Sequence, residues 1–118
     1  MQGFLQIMGI PFVGSDSTAS AACMDKAITK AMVDQAEVCD QAKSCIAYRG
    51  CDTEEASGVI EEFFGGEYPL FVKPANAGSS VGISKVHSRE ELPKALEIGF
   101  AEDSKVLIEE AIVGREIE

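Results

Sequence analysis

Phe71-Val72-Lys73-Pro74-Ala75-Asn76-Ala77-Gly78-Ser79-Ser80-Val81-Gly82-Ile83 is the stretch on which the fold of this chain turns. An apolar run from Leu70 ends in Lys73 and Pro74, a loop of small residues follows from Ala75 to Val81, and a second apolar run covers Ile83 to Val86. That order predicts two strands, antiparallel to one another, joined by a loop of Gly, Ser and Ala. Small residues let a backbone come close to a ligand and turn its N–H groups toward an anion. Ser79 and Ser80 add hydroxyl donors, and Lys73 adds a compact positive charge suited to phosphate. The pattern differs from the G-x-x-x-x-G-K-S/T loop, because here the lysine precedes the glycines and a strand follows them. On these residues alone, a glycine-serine hairpin with a surface lysine fits equally well.

Helical periodicity brackets this hairpin on both sides. Upstream, Ala56, Val59, Ile60, Phe63 and Phe64 recur at helical spacing, which predicts a helix over Thr53–Phe64 with Thr53 as its N-cap and Gly65-Gly66 as its stop. Downstream, Ser88 and Glu91 read as a capping box for a helix over Arg89–Gly99, with Leu92, Ala95 and Leu96 on one face and Pro93 tolerated in the first turns. Strands are expected at Ser44–Arg49 and Lys105–Glu109. A short connection, Ala111–Gly114, leads to another extended piece from Arg115. Nearer the start, helices are expected at Gln2–Met8, ended by Gly9, at Thr18–Met24, and at Asp25–Ala36 with Ala27, Ile28, Ala31, Met32 and Gln35 on one face. Elements in this order form an α+β layer: a mostly antiparallel sheet with helices packed on one face.

Composition narrows the function classes. The chain has 118 residues, 46% hydrophobic and 25% charged, as expected of one globular domain. No stretch approaches the ~20 apolar residues that span a bilayer, and no signal peptide opens the chain, so a cytoplasmic location with no membrane partner is expected. A net charge of −10 argues against nucleic acid as a partner, since a phosphate backbone needs a basic face. The four cysteines, Cys23, Cys39, Cys45 and Cys51, include no C-x-x-C pair, and reduced thiols with no metal are expected.

Two further stretches carry possible chemistry. In Met24-Asp25-Lys26, a lysine at a helix start opposes the helix dipole, which an anionic ligand would justify; a solvated surface lysine is the plain alternative. In Val106-Leu107-Ile108-Glu109-Glu110-Ala111-Ile112-Val113-Gly114-Arg115-Glu116, an apolar strand runs into acids. Backbone groups near Glu110-Ala111-Ile112 could serve a purine base, and Glu116 could accept two bonds from a ribose diol. An edge hairpin with solvated acids is the alternative.

Taken together, these blocks resemble the D-alanine–D-alanine ligase family of the ATP-grasp group. Gln2-Gly3 with Gly9-Ile10-Pro11-Phe12-Val13-Gly14-Ser15 resembles its Q-G-x-x-x-x-x-G-I-P-Y/F-x-G-S/C segment, and Ala19-Ser20-Ala21 through Met24-Asp25-Lys26 to Lys30 resembles its A-S-A-x-x-M-D-K-x-x-x-K segment. Val72-Lys73-Pro74-Ala75 with Gly78 through Val86 resembles its most diagnostic block, and Val106–Glu110 with Gly114-Arg115-Glu116 its hinge. One departure is local: after the Lys26 helix the family has a Gly-Ile-Pro-like turn, where this chain has Glu37-Val38-Cys39-Asp40-Gln41.

The resemblance implies a set of roles. Lys26 and Lys73 would bind ATP phosphates, and Ser79 and Ser80 would lie on the loop covering the γ-phosphate, where the chemistry occurs. Glu109, Glu110 and Ile112 would form the adenine hinge, and Glu116 would hold the ribose. It implies residues 1–24 as the tail of an N-terminal substrate domain and 25–118 as the central ATP-grasp subdomain, incomplete at its C-terminus. ATP and Mg2+ would be the cofactors and D-alanine the substrate. The dipeptide would form through an acyl phosphate for peptidoglycan synthesis, in a homodimeric enzyme. The first D-alanine pocket would precede Met1, and the magnesium ligands and a catalytic arginine would follow Glu118, so these 118 residues alone are expected to make no dipeptide. Alternatives are a D-alanine–D-serine or D-alanine–D-lactate ligase, or a non-catalytic isolated subdomain.

Overall fold

The computed structural model describes residues 1–115 and Ile117. It divides into two compact units, Met1–Cys39 and Asp40–Glu118. The boundary expected between residues 24 and 25 falls inside the first unit.

The first unit is helical, with α1 at Gln2–Ile7, α2 at Ser17–Met24 and α3 at Lys26–Ala36. Asp16 caps α2 through the Ala19 N–H, and Asp25 caps α3 by accepting from the Ala27 and Ile28 N–H groups at 3.0 and 3.1 Å. The Thr29 hydroxyl donates to the carbonyls of both Ala22 and Asp25, tying α3 to the end of α2. The stripe expected on α3 exists, yet Ala27 is its one buried member; Ile28 and Met32 stand exposed. Glu37 ends α3 in the left-handed region at φ 51°, a position that usually belongs to glycine.

The second unit holds β1 (Ser44–Tyr48), α4 (Thr53–Phe64), β2 (Leu70–Pro74), β3 (Ser84–Val86), a 3₁₀ turn at Arg89–Glu91, α5 (Leu92–Glu102) and β4 (Lys105–Glu110). The sheet order is β1-β4-β2-β3, and each neighbouring pair is antiparallel. Register follows from the alternation of side chains along a strand. Leu70, Val72, Val86, Val106 and Ile108 point to one face and meet Ile60 and Phe64 of α4 and Leu92, Ala95, Leu96 and Phe100 of α5. Complete burial of such an aliphatic or aromatic side chain contributes about 1.5–3 kcal/mol. The face covered by α4 and α5 holds this core, and the second unit is an α+β layer as expected.

Local chemistry differs from expectation in three places. The cap of α4 is Asp52, which accepts from Glu54 and Glu55 N–H; Thr53 is already in the helix. The buried stripe of α4 is Ser57, Ile60 and Phe64, while Val59 and Phe63 face outward. Ser57 tolerates complete burial because its hydroxyl donates to the Thr53 carbonyl at 2.6 Å. The expected capping box is shifted: Glu91 reaches back to the His87 N–H at 2.8 Å, Ser88 makes no side-chain cap bond, and α5 begins only at Leu92.

Candidate functional site

The sheet's second face is the one that α4 and α5 leave uncovered. The register sets Phe71 beside Glu109 and Lys85, and Lys73 beside Leu107. Lys73 reaches along this face to Glu109, with Nζ 2.5 Å from Oε2 and both side chains largely enclosed. Two cations flank one ring, since Lys73 Nζ lies 5.3 Å and Lys85 Nζ 5.5 Å from the Phe71 centroid. A buried Leu107 and these charges give the face an apolar floor with fixed ionic groups, the makeup of a small-molecule site.

The loop from Ala75 to Ile83 leaves the end of β2 directly beyond Lys73. Its tip is a tight turn: Val81 N–H donates to the Gly78 carbonyl, and both central residues, Ser79 and Ser80, have positive φ, 51° and 62°. Two positive central φ angles define the primed hairpin turn, which favours Asn-Gly or Gly pairs. Serine in this region costs about 1–2 kcal/mol per residue relative to the right-handed form. Strain of this kind concentrates where a loop meets a ligand. The exposed Ser79 and Ser80 stand on this tip.

The loop is also held at both roots. Asn76 donates its backbone N–H and its side-chain Nδ2 to Asp103 Oδ2, at 2.8 and 2.9 Å. Gly82, at φ 70°, leaves no room for a side chain: a Cβ there would lie 2.8 Å from Pro74 Cγ and 2.8 Å from Glu102 Cγ. Burial pushes the Asp103 carboxyl up, but the bonds it accepts from Asn76, Lys105 and Ser104 outweigh burial and hold it below its ordinary value.

The other expected residues are distributed differently. The Glu110 carboxylate accepts from the Lys43 N–H at 2.7 Å, and the Glu110 N–H donates to the Lys43 carbonyl, so Glu110 fastens the start of β1 to β4. Ile112 lies exposed in the segment after β4, whose first residue, Ala111, donates its N–H to the Pro69 carbonyl. Glu116 lies outside the described residues. Lys26 stands at the first position of α3 in the other unit, and Asp25 places a carboxylate at that helix start, which by itself offsets the unfavourable dipole. Lys73, Glu109, Ser79 and Ser80 therefore belong to one sheet and its loop. Lys85, Asn76 and Asp103 join them without having been singled out in the sequence. Among the described residues, no group of three or more His, Cys, Asp or Glu could hold a metal ion. Nor, among them, is any helix long and apolar enough to cross a membrane.

This antiparallel sheet with its helices is shared with proteins of known kind. The D-ala D-ala ligase C-terminus family matches residues 48–118, and the chain belongs to that family. The whole chain is 50% identical over 120 residues to a D-alanine–D-alanine ligase of Pelodictyon phaeoclathratiforme and 49% identical over 121 residues to that of Bacillus cytotoxicus. It spans about a third of the length of these relatives, 33% of each. Among solved structures, the VanG D-Ala:D-Ser ligase from Enterococcus faecalis matches with a TM-score of 0.83 at 42% identity, covering 96% of this chain and 32% of that one. The D-alanine-D-alanine ligase from Coxiella burnetii matches with a TM-score of 0.84 at 31% identity, covering 97% and 33%.

Proposed function

We propose that these residues form the phosphate-gripping part of an ATP-dependent D-alanine–D-alanine ligase, with residues 25–118 serving as its central ATP-grasp subdomain. The observation that carries this reading is Lys73, placed on the sheet face opposite α4 and α5, on the strand that leads into the strained Ser79-Ser80 turn. Lys73 supplies a fixed ammonium for phosphate oxygens, and the turn supplies hydroxyls and backbone N–H groups that close over them. Glu109 holds the lysine in place until a phosphate competes for it. The adenine would lie along the segment from Glu109 to Ile112, and Glu116 would take the ribose.

Such a site contributes positioning and charge neutralisation to phosphoryl transfer. The reaction served activates the carboxylate of one D-alanine as an acyl phosphate. The amine of a second D-alanine then displaces the phosphate, giving the dipeptide used in peptidoglycan, in the cytoplasm. Magnesium would be held by residues other than those described here. Identity to D-alanine–D-alanine ligases over the full chain favours D-alanine over D-serine as second substrate.

The test is an ATP titration of the chain by calorimetry, with Lys73→Ala alongside, and a chimera in which these 118 residues replace the aligned third of the Pelodictyon enzyme. Saturable binding weakened at least tenfold by Lys73→Ala, and D-alanine-dependent ADP release by the chimera, are expected. A folded chimera whose ADP release is unaffected by Lys73→Ala would refute the assignment.

A further inference from the structure

We infer that Asp103 is a positioning residue for the Gly-Ser loop: its carboxylate pins the root of the loop at Asn76, and with it the loop's reach toward a phosphate. The inference rests on the phosphate-site reading above and adds a residue from a different part of the chain.

Three observations converge. Asp103 Oδ2 accepts two bonds from Asn76, one from the backbone and one from the side chain, 27 positions away in sequence. The preceding residue, Glu102, abuts Gly82 at the loop's other root, where a Cβ would lie 2.8 Å from its Cγ. Both ends of the loop thus rest on adjacent residues at the end of α5. That platform is itself tied down: Arg49 donates its guanidinium to the Phe100 carbonyl and its backbone N–H to the Ser104 carbonyl. The other oxygen, Oδ1, bonds within the α5–β4 turn, accepting from the Lys105 N–H and the Ser104 hydroxyl, so the carboxylate cannot swing away without cost.

A charged acceptor makes a stronger hydrogen bond than a neutral one. The pair therefore fixes where the loop begins, while the tip between Gly78 and Val81 closes on its own turn bond. A loop fixed at its roots presents Ser79 and Ser80 in one place and avoids ordering cost when phosphate arrives.

The test uses hydrogen exchange of the whole chain without nucleotide, together with its affinities for ATP and for adenosine. Asp103→Ala is expected to speed exchange of the hydrogen-bonded loop amides, those of Asn76 and Val81, about tenfold or more, and Asp103→Asn, which keeps an oxygen acceptor, by an intermediate factor. Asn76→Ala leaves the α5–β4 turn intact and is expected to speed the same amides several-fold, so the idea survives a misfolding Asp103 variant. Exchange in β2 and β4 is expected to stay unchanged. ATP affinity is expected to fall about tenfold while adenosine affinity, which needs no phosphate loop, moves less than twofold. Unchanged loop exchange in Asp103→Asn and Asn76→Ala overturns the inference. Faster exchange with unaltered ATP affinity also overturns it, leaving a purely structural bond. If the unaltered chain binds no ATP, the phosphate-site reading falls instead, and loop exchange alone decides whether Asp103 pins the loop.

Discussion

Gly82→Ala and Gly78→Ala are predicted to part sharply, although both glycines lie in the same small-residue loop. At Gly82 the added methyl meets two obstacles. The backbone sits at φ 70°, where an alanine costs about 1–2 kcal/mol. The Cβ would also lie 2.8 Å from Cγ of Pro74 and of Glu102. The glutamate is exposed and can swing aside, but the proline ring is buried and rigid, so crowding adds about 1–2 kcal/mol. The sum is about 3 kcal/mol. For the second unit, residues 40–118, that lowers the melting temperature by roughly 10–20 °C. A methyl added at Gly78 would meet no atom within 4 Å, and φ there is not positive, so Gly78→Ala is expected within about 0.5 kcal/mol of the parent. Thermal and urea unfolding followed by circular dichroism would measure both. Equal midpoints for the two variants would refute the reasoning, because it derives the difference wholly from φ and from Pro74.

Glu37→Gly should stabilise the helical unit by about 1 kcal/mol, since a left-handed helix end is glycine's position; a drop in helix melting temperature would contradict this. Burial pushes the Cys45 thiol up to about 11, against the opposing effect of Lys43, so at pH 8 it should react with iodoacetamide at least tenfold more slowly than the exposed Cys23, Cys39 and Cys51, by a margin peptide mass spectrometry would read. Asp103 has its folded pKa below its unfolded value, so its contribution is complete above that unfolded value and is lost as pH falls through the folded one. The Asn76 side-chain amide resonance should therefore hold steady from pH 7 to about 4 and move only below; movement between pH 5 and 7 would count against the assignment.

The elements were largely legible because each carries a local signal. Apolar periodicity marks α4, and small residues between two apolar runs mark the β2–β3 hairpin. What periodicity cannot supply is which part of a wide apolar stripe meets the sheet. In α4 five apolar residues share a face, but one sheet covers one strip, so Ile60 and Phe64 are buried with Ser57 while Val59 and Phe63 are left out. Caps slipped by a residue because Asp52 and Thr53 both have oxygens that can accept, and only the entry angle of the chain selects Asp52. At the candidate site, Lys73, Ser79 and Ser80 stand within one contiguous motif, so the sequence alone proposes them together. Asp103 joins Asn76 through the antiparallel return of the chain, and Lys85 reaches Phe71 through strand register. Neither relation leaves a mark at short sequence range.

The position of β4 has a consequence for how the chain is made. It is the last strand in sequence among the described residues, yet lies between β1 and β2. On the ribosome, β1, α4, the β2–β3 hairpin and α5 all emerge first, at about 5–20 residues per second. Until residues 105–110 clear the exit tunnel, β1 has no sheet partner and β2 shows an open edge. The nascent sheet therefore waits for its keystone, and its exposed edge is the surface a chaperone would shield during that interval.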